Sequence, residues 1–302
     1  ARTELADGRL VGHLVDGGGR LLGLSHNELV VFETDRELQD RIAEQLSQDE
    51  RDATALALRG RRRLHRGEFE PAVADLAASF EARADPDVRR LLVQALLDGL
   101  QFDYSRYADQ ASRLESLLAS ADEQLSFRRL RAAGLSRSGQ VVEAFDEYLK
   151  LRQAPDKQAA GAQPPPNQDD NAQRGRLERI NEDLLVRRTH WIASRLTDVE
   201  ARATADQKQV LAARRKQLFD AAVAIDGATG TALIWEFVTL FDGHPVADLA
   251  RVKLLERLAK NTPVIQRERL LLDLRGGSDR AAAGRATAEL ASLWAAQKKP
   301  EA

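Results

Sequence analysis

The chain has 302 residues, 45 Lys and Arg against 47 Asp and Glu, a formal net charge of −2, and neither cysteine nor methionine. Without cysteine there is no disulfide framework, no thiolate zinc or iron–sulfur site and no cysteine nucleophile. The balanced charge argues against a dedicated nucleic-acid binder, and the 43% apolar content suits one large or two smaller folded domains.

Residues 1–33 read as strands. An apolar run over 9–15 meets the turn Asp16-Gly17-Gly18-Gly19, whose glycines accept positive φ. A second run, 20–24, and a third, 28–33, flank a Ser25-His26-Asn27 turn. So few strands do not form a stable domain alone and need a partner, either the helical body or further sheet. The missing methionine fits a segment of a longer protein. The first ten residues are polar and carry no signal-peptide core.

Residues 34–153 read as helices. Thr34 with Glu37, and Ser120 with Glu123, form capping boxes in which each side chain satisfies a first-turn N–H of the other's segment. Leu38, Ile42 and Leu46 line one face at spacing four. Leu56 and Leu64 belong to the next helix, Ala72, Leu76 and Phe80 to its partner, and Asp85-Pro86 caps the one after. Asp103 is expected to open a single helix through Tyr107, Ala111, Leu114 and Leu118. Residues 154–175 read as a linker, with Pro164, Pro165 and Pro166 amid Gln, Asn and Asp and almost no large apolar residue.

Residues 176–302 read as a second helical half. Leu177, Ile180, Leu184, Trp191, Ile192 and Leu196 predict a long first helix, continuous or broken, and Thr204 with Gln207 caps the next. The run 233–241 is apolar on nearly every side and is expected at the centre of the packing; Gly243-His244-Pro245 ends it. Further helices follow through Leu254, through Leu270 and Leu274, and through Leu290 and Trp294. No stretch reaches the length a membrane helix needs.

The most specific motif is a repeat. Residues 53–86 fit the 34-residue tetratricopeptide pattern, with Gly60, Gly67, Phe69, Ala72 and Leu76 in register. Gly60 and Ala72 are small where two helices cross closely, and Gly67 closes their turn. Ser79 and Arg63 depart from the pattern. A second copy places Gly139, Ala144 and Tyr148 at the positions of Gly67, Ala72 and Leu76, with Ala108 midway between the two alanines. The fold expected is mainly α, a tetratricopeptide-like α-solenoid of helical hairpins with a short N-terminal β segment.

The runs GRLVG at 8–12 and RLLGLSHNELVVFE at 20–33, ahead of this helix array, resemble large bacterial, planctomycete-type proteins. In those, a β-propeller of the pyrroloquinoline-quinone-repeat or outer-membrane-assembly kind precedes a tetratricopeptide-like array. The run FDGHPVADLAR at 241–251 is similar to the later helical part of that family. The resemblance implies a scaffold in the cell envelope or periplasm and carries over no catalytic residue.

Chemistry is sparse. His13, His26, His65, His190 and His244 stand in no metal-binding spacing, Gly17-Gly18-Gly19 lacks the Lys-Ser/Thr of a phosphate loop, and Asp169-Asp170 lacks the rest of a calcium loop. No cofactor is expected. The basic run Arg59, Arg61, Arg62, Arg63, Arg66 reads either as a patch for an acidic peptide, phosphate or lipid headgroups, or as a solvated helix face balanced by Glu68, Glu70 and Asp75. The function expected is a non-catalytic protein–protein interaction scaffold holding a partner peptide or protein in a helical-repeat groove, with Arg59, Arg62, Arg63 and Arg66 as partner-binding candidates. Self-assembly into a coat- or pore-like envelope component, and service as the docking module of an enzyme whose catalytic domain lies upstream, are the alternatives. Nucleic acid is not an expected partner.

Overall fold

A computed structural model describes residues 3–4, 10–11, 13–16, 21–24, 29–153, 177–179, 185–258 and 263–296. The fold is mainly α with a small antiparallel N-terminal sheet. It divides into two compact units, 1–118 and 119–302. The 154–175 stretch read as a linker, the two N-terminal turns and His26 lie outside the described residues.

In the first unit β1 (Thr3–Glu4) pairs with β2 (Leu10–Val11), and β3 (His13–Asp16), β4 (Leu21–Leu24) and β5 (Leu29–Phe32) form a three-stranded antiparallel sheet in that order. Helix α1 (Asp35–Gln48) starts at the Thr34 capping box, in which the Glu37 amide donates to Thr34 Oγ1 at 3.2 Å and the Thr34 amide to Glu37 Oε2 at 3.1 Å. Helices α2 (Ala53–His65) and α3 (Phe69–Ala82) make a close hairpin. A Cβ on Gly60 would stand 2.7 Å from Leu76 Cγ, so glycine is what lets the two axes approach. Ser79, one departure from the repeat pattern, is buried and donates its hydroxyl to the Ala53 carbonyl at 2.6 Å, tying the end of α3 to the start of α2.

Helix α4 (Pro86–Phe102) packs on α3. The single helix expected after Asp103 is instead broken into α5 (Tyr104–Tyr107), a 3-10 turn at Ala108–Gln110, and α6 (Ala111–Leu117). The break seats the Tyr107 ring over Gly99, where a Cβ would stand 2.8 Å from it, and buries both Tyr104 and Tyr107. Ala108, the midpoint of the repeat spacing, therefore lies in a 3-10 turn rather than within a helix.

The second unit opens with α7 (Ala121–Arg137) and α8 (Val141–Lys150), a hairpin that repeats α2–α3 at a spacing of 72 residues. The turns share three backbone hydrogen bonds at equivalent positions. Gly67 (φ 74°) and Gly139 (φ 80°) sit in the left-handed region that glycine alone adopts freely. The Glu68 amide donates to the Arg63 carbonyl at 2.9 Å and the Gln140 amide to Leu135 at 2.9 Å. Ala72 and Ala144 are both fully buried, and so are Leu76 and Tyr148. The correspondence extends to a feature that periodicity does not reveal. Asp75 and Glu147 are buried acids, and each meets an arginine 16 residues earlier: Arg59 donates to Asp75 at 2.7 and 2.9 Å, and Arg131 lies 4.0 Å from Glu147. Buried carboxylates persist only when paired in this way.

The second half was expected to open on a long helix from Leu177, continuous or broken. The structure corrects this: β6 (Leu177–Arg179) pairs antiparallel with β7 (Leu185–Arg187), and α9 begins only at Arg188 (Arg188–Arg202). Ile180 and Leu184 of that series lie outside the described residues. Helix α10 (Ala205–Ala224) starts at the Thr204–Gln207 capping box. Helix α11 (Gly227–Leu240) buries Ile234, Phe237, Val238 and Leu240, as its all-round apolarity requires. An aromatic chain runs from Phe219 through Phe237 and Phe241 to Phe145, with centroids 5.5, 4.8 and 6.2 Å apart. Helices α12 (Val246–Arg257), α13 (Val264–Arg275) and α14 (Arg280–Ala296) follow, and Leu271, Leu274, Ala282, Ala286 and Leu290 form the seam of the last pair.

Between α9, α10 and the α11–α12 turn, buried Arg215 holds Glu200 at 2.9 Å, and His244 Nε2 faces the same carboxylate at 3.8 Å. The Val246 amide donates to His244 Nδ1 at 3.1 Å, which requires the neutral ring to carry its proton on Nε2. Burial, then the Arg215 charge, push the His244 pKa below the usual imidazole value, and Glu200 opposes them. The unfolded chain thus takes up this proton at a higher pH than the folded one. The stability linked to His244 is complete above about pH 6.5 and is lost as pH falls through the lower folded value. The melting temperature of the wild type should fall more steeply on acidification than that of His244→Gln. Parallel pH profiles for the two proteins would refute the linkage.

Candidate functional site

The candidate site is a groove between α1 and α2 with a cavity volume of about 420 Å³, lined by Asp35, Leu38, Leu58, Arg61, Arg62, His65 and Arg66. The spacing of the last four puts them on one side of α2, in its final turns, where cations are favoured by the exposed carbonyls of the helix end. Asp35 stands in the first turn of α1, where an anion is favoured for the converse reason. The two helix ends therefore bring opposite charges together across the groove.

Arg62 grips the Asp35 carboxylate with two parallel bonds, Nε–Oδ1 at 2.5 Å and Nη2–Oδ2 at 2.8 Å, and Arg66 Nη2 adds a third at 3.0 Å to Oδ2. The bond from Arg62 is the main reason the Asp35 carboxyl is held below the usual carboxylate range, with the Arg66 charge assisting. The Asp35 side chain is nevertheless 62% exposed, and Arg66 48%, whereas Arg62 is 17% exposed. Arg61 and His65 have no polar partner among the described residues. Leu38 and Leu58, both half-buried, add apolar surface to the groove.

The four arginines expected to bind a partner are thus separated by the fold. Arg62 and Arg66 line the groove. Arg59 and Arg63 turn to the opposite side of α2, the side of Leu56 and Gly60, and converge on Asp75 of α3; Arg63 Nη1 reaches it at 2.7 Å and also the Pro71 carbonyl at 3.4 Å. Hydrogen bonding to Asp75 raises the Arg59 pKa further, so it stays protonated. Arg61, His65, Leu38, Leu58 and Asp35 complete the groove without having been singled out as partner-binding residues. A helical wheel of α2 carries the missing signal, because residues 58, 61, 62, 65 and 66 cluster on one arc and 56, 59, 60 and 63 on the other.

The repeat-defining residues Gly60, Gly67, Phe69, Ala72, Leu76, Gly139, Ala144 and Tyr148 all lie in the two matching hairpins. Phe69 is half-buried and packs its ring 5.6 Å from Phe102. Among the described residues no group of three or more His, Cys, Asp or Glu side chains is placed to hold a metal ion, and no helix is long and apolar enough to cross a membrane. Three guanidinium groups and an imidazole around a partly apolar concavity suit the binding of an anionic group, since guanidinium matches carboxylate geometry bidentately. Comparison with protein-family models, with curated proteins and with solved structures finds no match for this chain.

Proposed function

We propose that the chain is a non-catalytic protein–protein interaction scaffold, in which tetratricopeptide-like hairpins present a groove to a partner segment. The observation that carries this reading is the groove itself: a concavity with apolar walls and two basic side chains, Arg61 and His65, that internal packing leaves unused. The matching hairpins at a 72-residue spacing support a repeat architecture, whose exposed helix faces commonly serve as binding surfaces. The resemblance of the N-terminal strands to propeller strands supports placement within a larger envelope-associated propeller protein.

Selection of displayed random peptides on the intact chain tests the scaffold reading. Peptides that enrich and then bind the isolated protein at micromolar concentration are expected. Failure to enrich any peptide over an immobilised carrier control would overturn it.

A second reading, self-assembly, draws on a separate observation. Leu14, Val15, Leu21, Leu29 and Val31 of the three-stranded sheet are 44 to 59% exposed, and exposed apolar strand residues favour association. Light scattering across a concentration series distinguishes the two, since a strict monomer rules the second reading out.

A further inference from the structure

Resting on the scaffold reading, we infer that the α1–α2 groove takes an acidic segment of a partner protein bearing an apolar side chain, and that Asp35 occupies the place of the partner's carboxylate in the free protein. Charge complementarity selects the partner. Arg61, Arg62 and Arg66 line the cavity with one carboxylate, Asp35, and Glu68 also acts on Arg62, so three cations meet two acids and the groove keeps a positive excess. The apolar surface of Leu38 and Leu58 selects a peptide over other polyanions. A nucleic-acid strand would bring its bases against a lining without Phe, Tyr or Trp. A membrane surface is flat on this scale, whereas these cations line a concavity.

The geometry at Asp35 shows how a carboxylate is received. Arg62 supplies both teeth of its guanidinium fork, and Arg66 caps one oxygen from the side. Such a three-bond seat is what a glutamate or aspartate of a partner would need. Asp35 is exposed to water on most of its surface, and ion pairs at that exposure are weakened by solvent and salt. Its carboxylate can therefore swing out while an incoming one takes the seat. Arg61, without an internal partner, is free to receive a second acidic side chain, and the cavity behind it accommodates an apolar one. The exchange makes Asp35 an internal competitor: it keeps Arg62 and Arg66 aligned in the free state and lowers the groove's affinity for anything acidic.

The test is fluorescence anisotropy with a short fluorescein-labelled peptide of Glu and Leu, alongside the peptides recovered by display. Arg61→Glu, which breaks no internal contact, and Arg66→Glu should each weaken binding by about tenfold or more, while Asp35→Asn should strengthen it several-fold. A Glu/Ser peptide of equal charge should bind more weakly than the Glu/Leu peptide, and added salt should weaken both. Unchanged affinity in Arg61→Glu would overturn the groove assignment even if Asp35→Asn proved unstable. Weaker binding to a folded Asp35→Asn protein would overturn the competitor role. Tighter binding of single-stranded DNA or of phosphatidylserine vesicles than of the peptide would overturn the choice of partner. If the displayed peptides bind but ignore Arg61→Glu, the acidic-groove inference falls and the scaffold reading stands; if no peptide binds at all, both fall.

Discussion

Asp248→Ala is expected to cost the second unit about 3 kcal/mol, because it removes the buried partner of Arg251, whose remaining counter-charge is the exposed Asp242 carboxylate, and strands a buried amide. Asp248 and Arg251 are each 5% exposed, and Arg251 Nη1 donates to Asp248 Oδ1 at 2.8 Å. The second carboxylate oxygen accepts from the Ser278 amide at 3.0 Å and from its hydroxyl at 3.3 Å, so this side chain of α12 also pins the turn between α13 and α14. Gly277 permits the approach, since a Cβ there would stand 2.6 Å from the same oxygen. Arg251 meanwhile bonds the Asp242 carbonyl at 3.3 Å and the Asp242 carboxylate, which holds the turn after α11. Removing Asp248 therefore strands the Ser278 amide and leaves Arg251 held from the Asp242 side alone. Asp248→Asn keeps an acceptor for the amide and should lose about half as much. Urea unfolding followed by far-ultraviolet circular dichroism measures both. An alanine variant within about 0.5 kcal/mol of wild type, the range of ordinary surface changes, would show that the network is dispensable.

Gly230→Ala should be comparably damaging for the opposite reason, overpacking. Gly230 lies in the first turns of α11 against the chain that leaves α10. A Cβ there would collide with the Ile225 carbonyl oxygen, stand 2.6 Å from the carbonyl carbon and 2.7 Å from Arg257 Nη1. The obstacle is backbone, which cannot rotate aside as a flexible side chain would. The same carbonyl accepts from Arg257 Nη1 at 2.7 Å, and Arg257 also donates to the Val223 carbonyl, so any shift breaks the tie between α12 and the end of α10. The expected loss is about 3 kcal/mol. Gly284→Ala is the matched control: Gly284 is exposed within α14 and a Cβ there meets nothing within 4 Å. That change should gain about 0.5 to 1 kcal/mol, the helix-propensity difference between the two residues. Equal stabilities for the two alanine variants would refute the close-approach account.

Much of this architecture is legible in the residues alone, because its determinants are local. The boxes at Thr34, Ser120 and Thr204 mark helix starts through bonds spanning three residues, and Gly67 and Gly139 mark turns that need a positive φ. The apolar run ending at Phe241 announces its own burial. What escapes is whatever depends on the facing element. The series Leu177, Ile180, Leu184 satisfies a helical period, yet Leu177–Arg179 pairs as a strand with Leu185–Arg187. The helix expected through Tyr107 breaks because Gly99, on another helix, offers its ring a seat. In the groove, the basic run was visible but not its division, since Asp75 on α3 and Asp35 on α1 decide which arginines turn inward and which line the cavity. A period assigns a residue to a side of its helix; the charge waiting on that side belongs to a distant part of the chain.

The buried acids of the two matching hairpins have a consequence for assembly. Chains built from repeated modules risk pairing one module's helix with the other's. Here the keys differ. Asp75 is short and sits between Arg59 and Arg63, whereas Glu147 is longer by one methylene and is met by Arg128 at 3.5 Å, Arg131 and Lys150. An α3 seated on α7 would offer too short an acid to Arg128 and Arg131, and an α8 seated on α2 would bring a longer one to Arg59 and Arg63. The two buried acids thus differ in reach, each matched to the arginines of the helix it packs on.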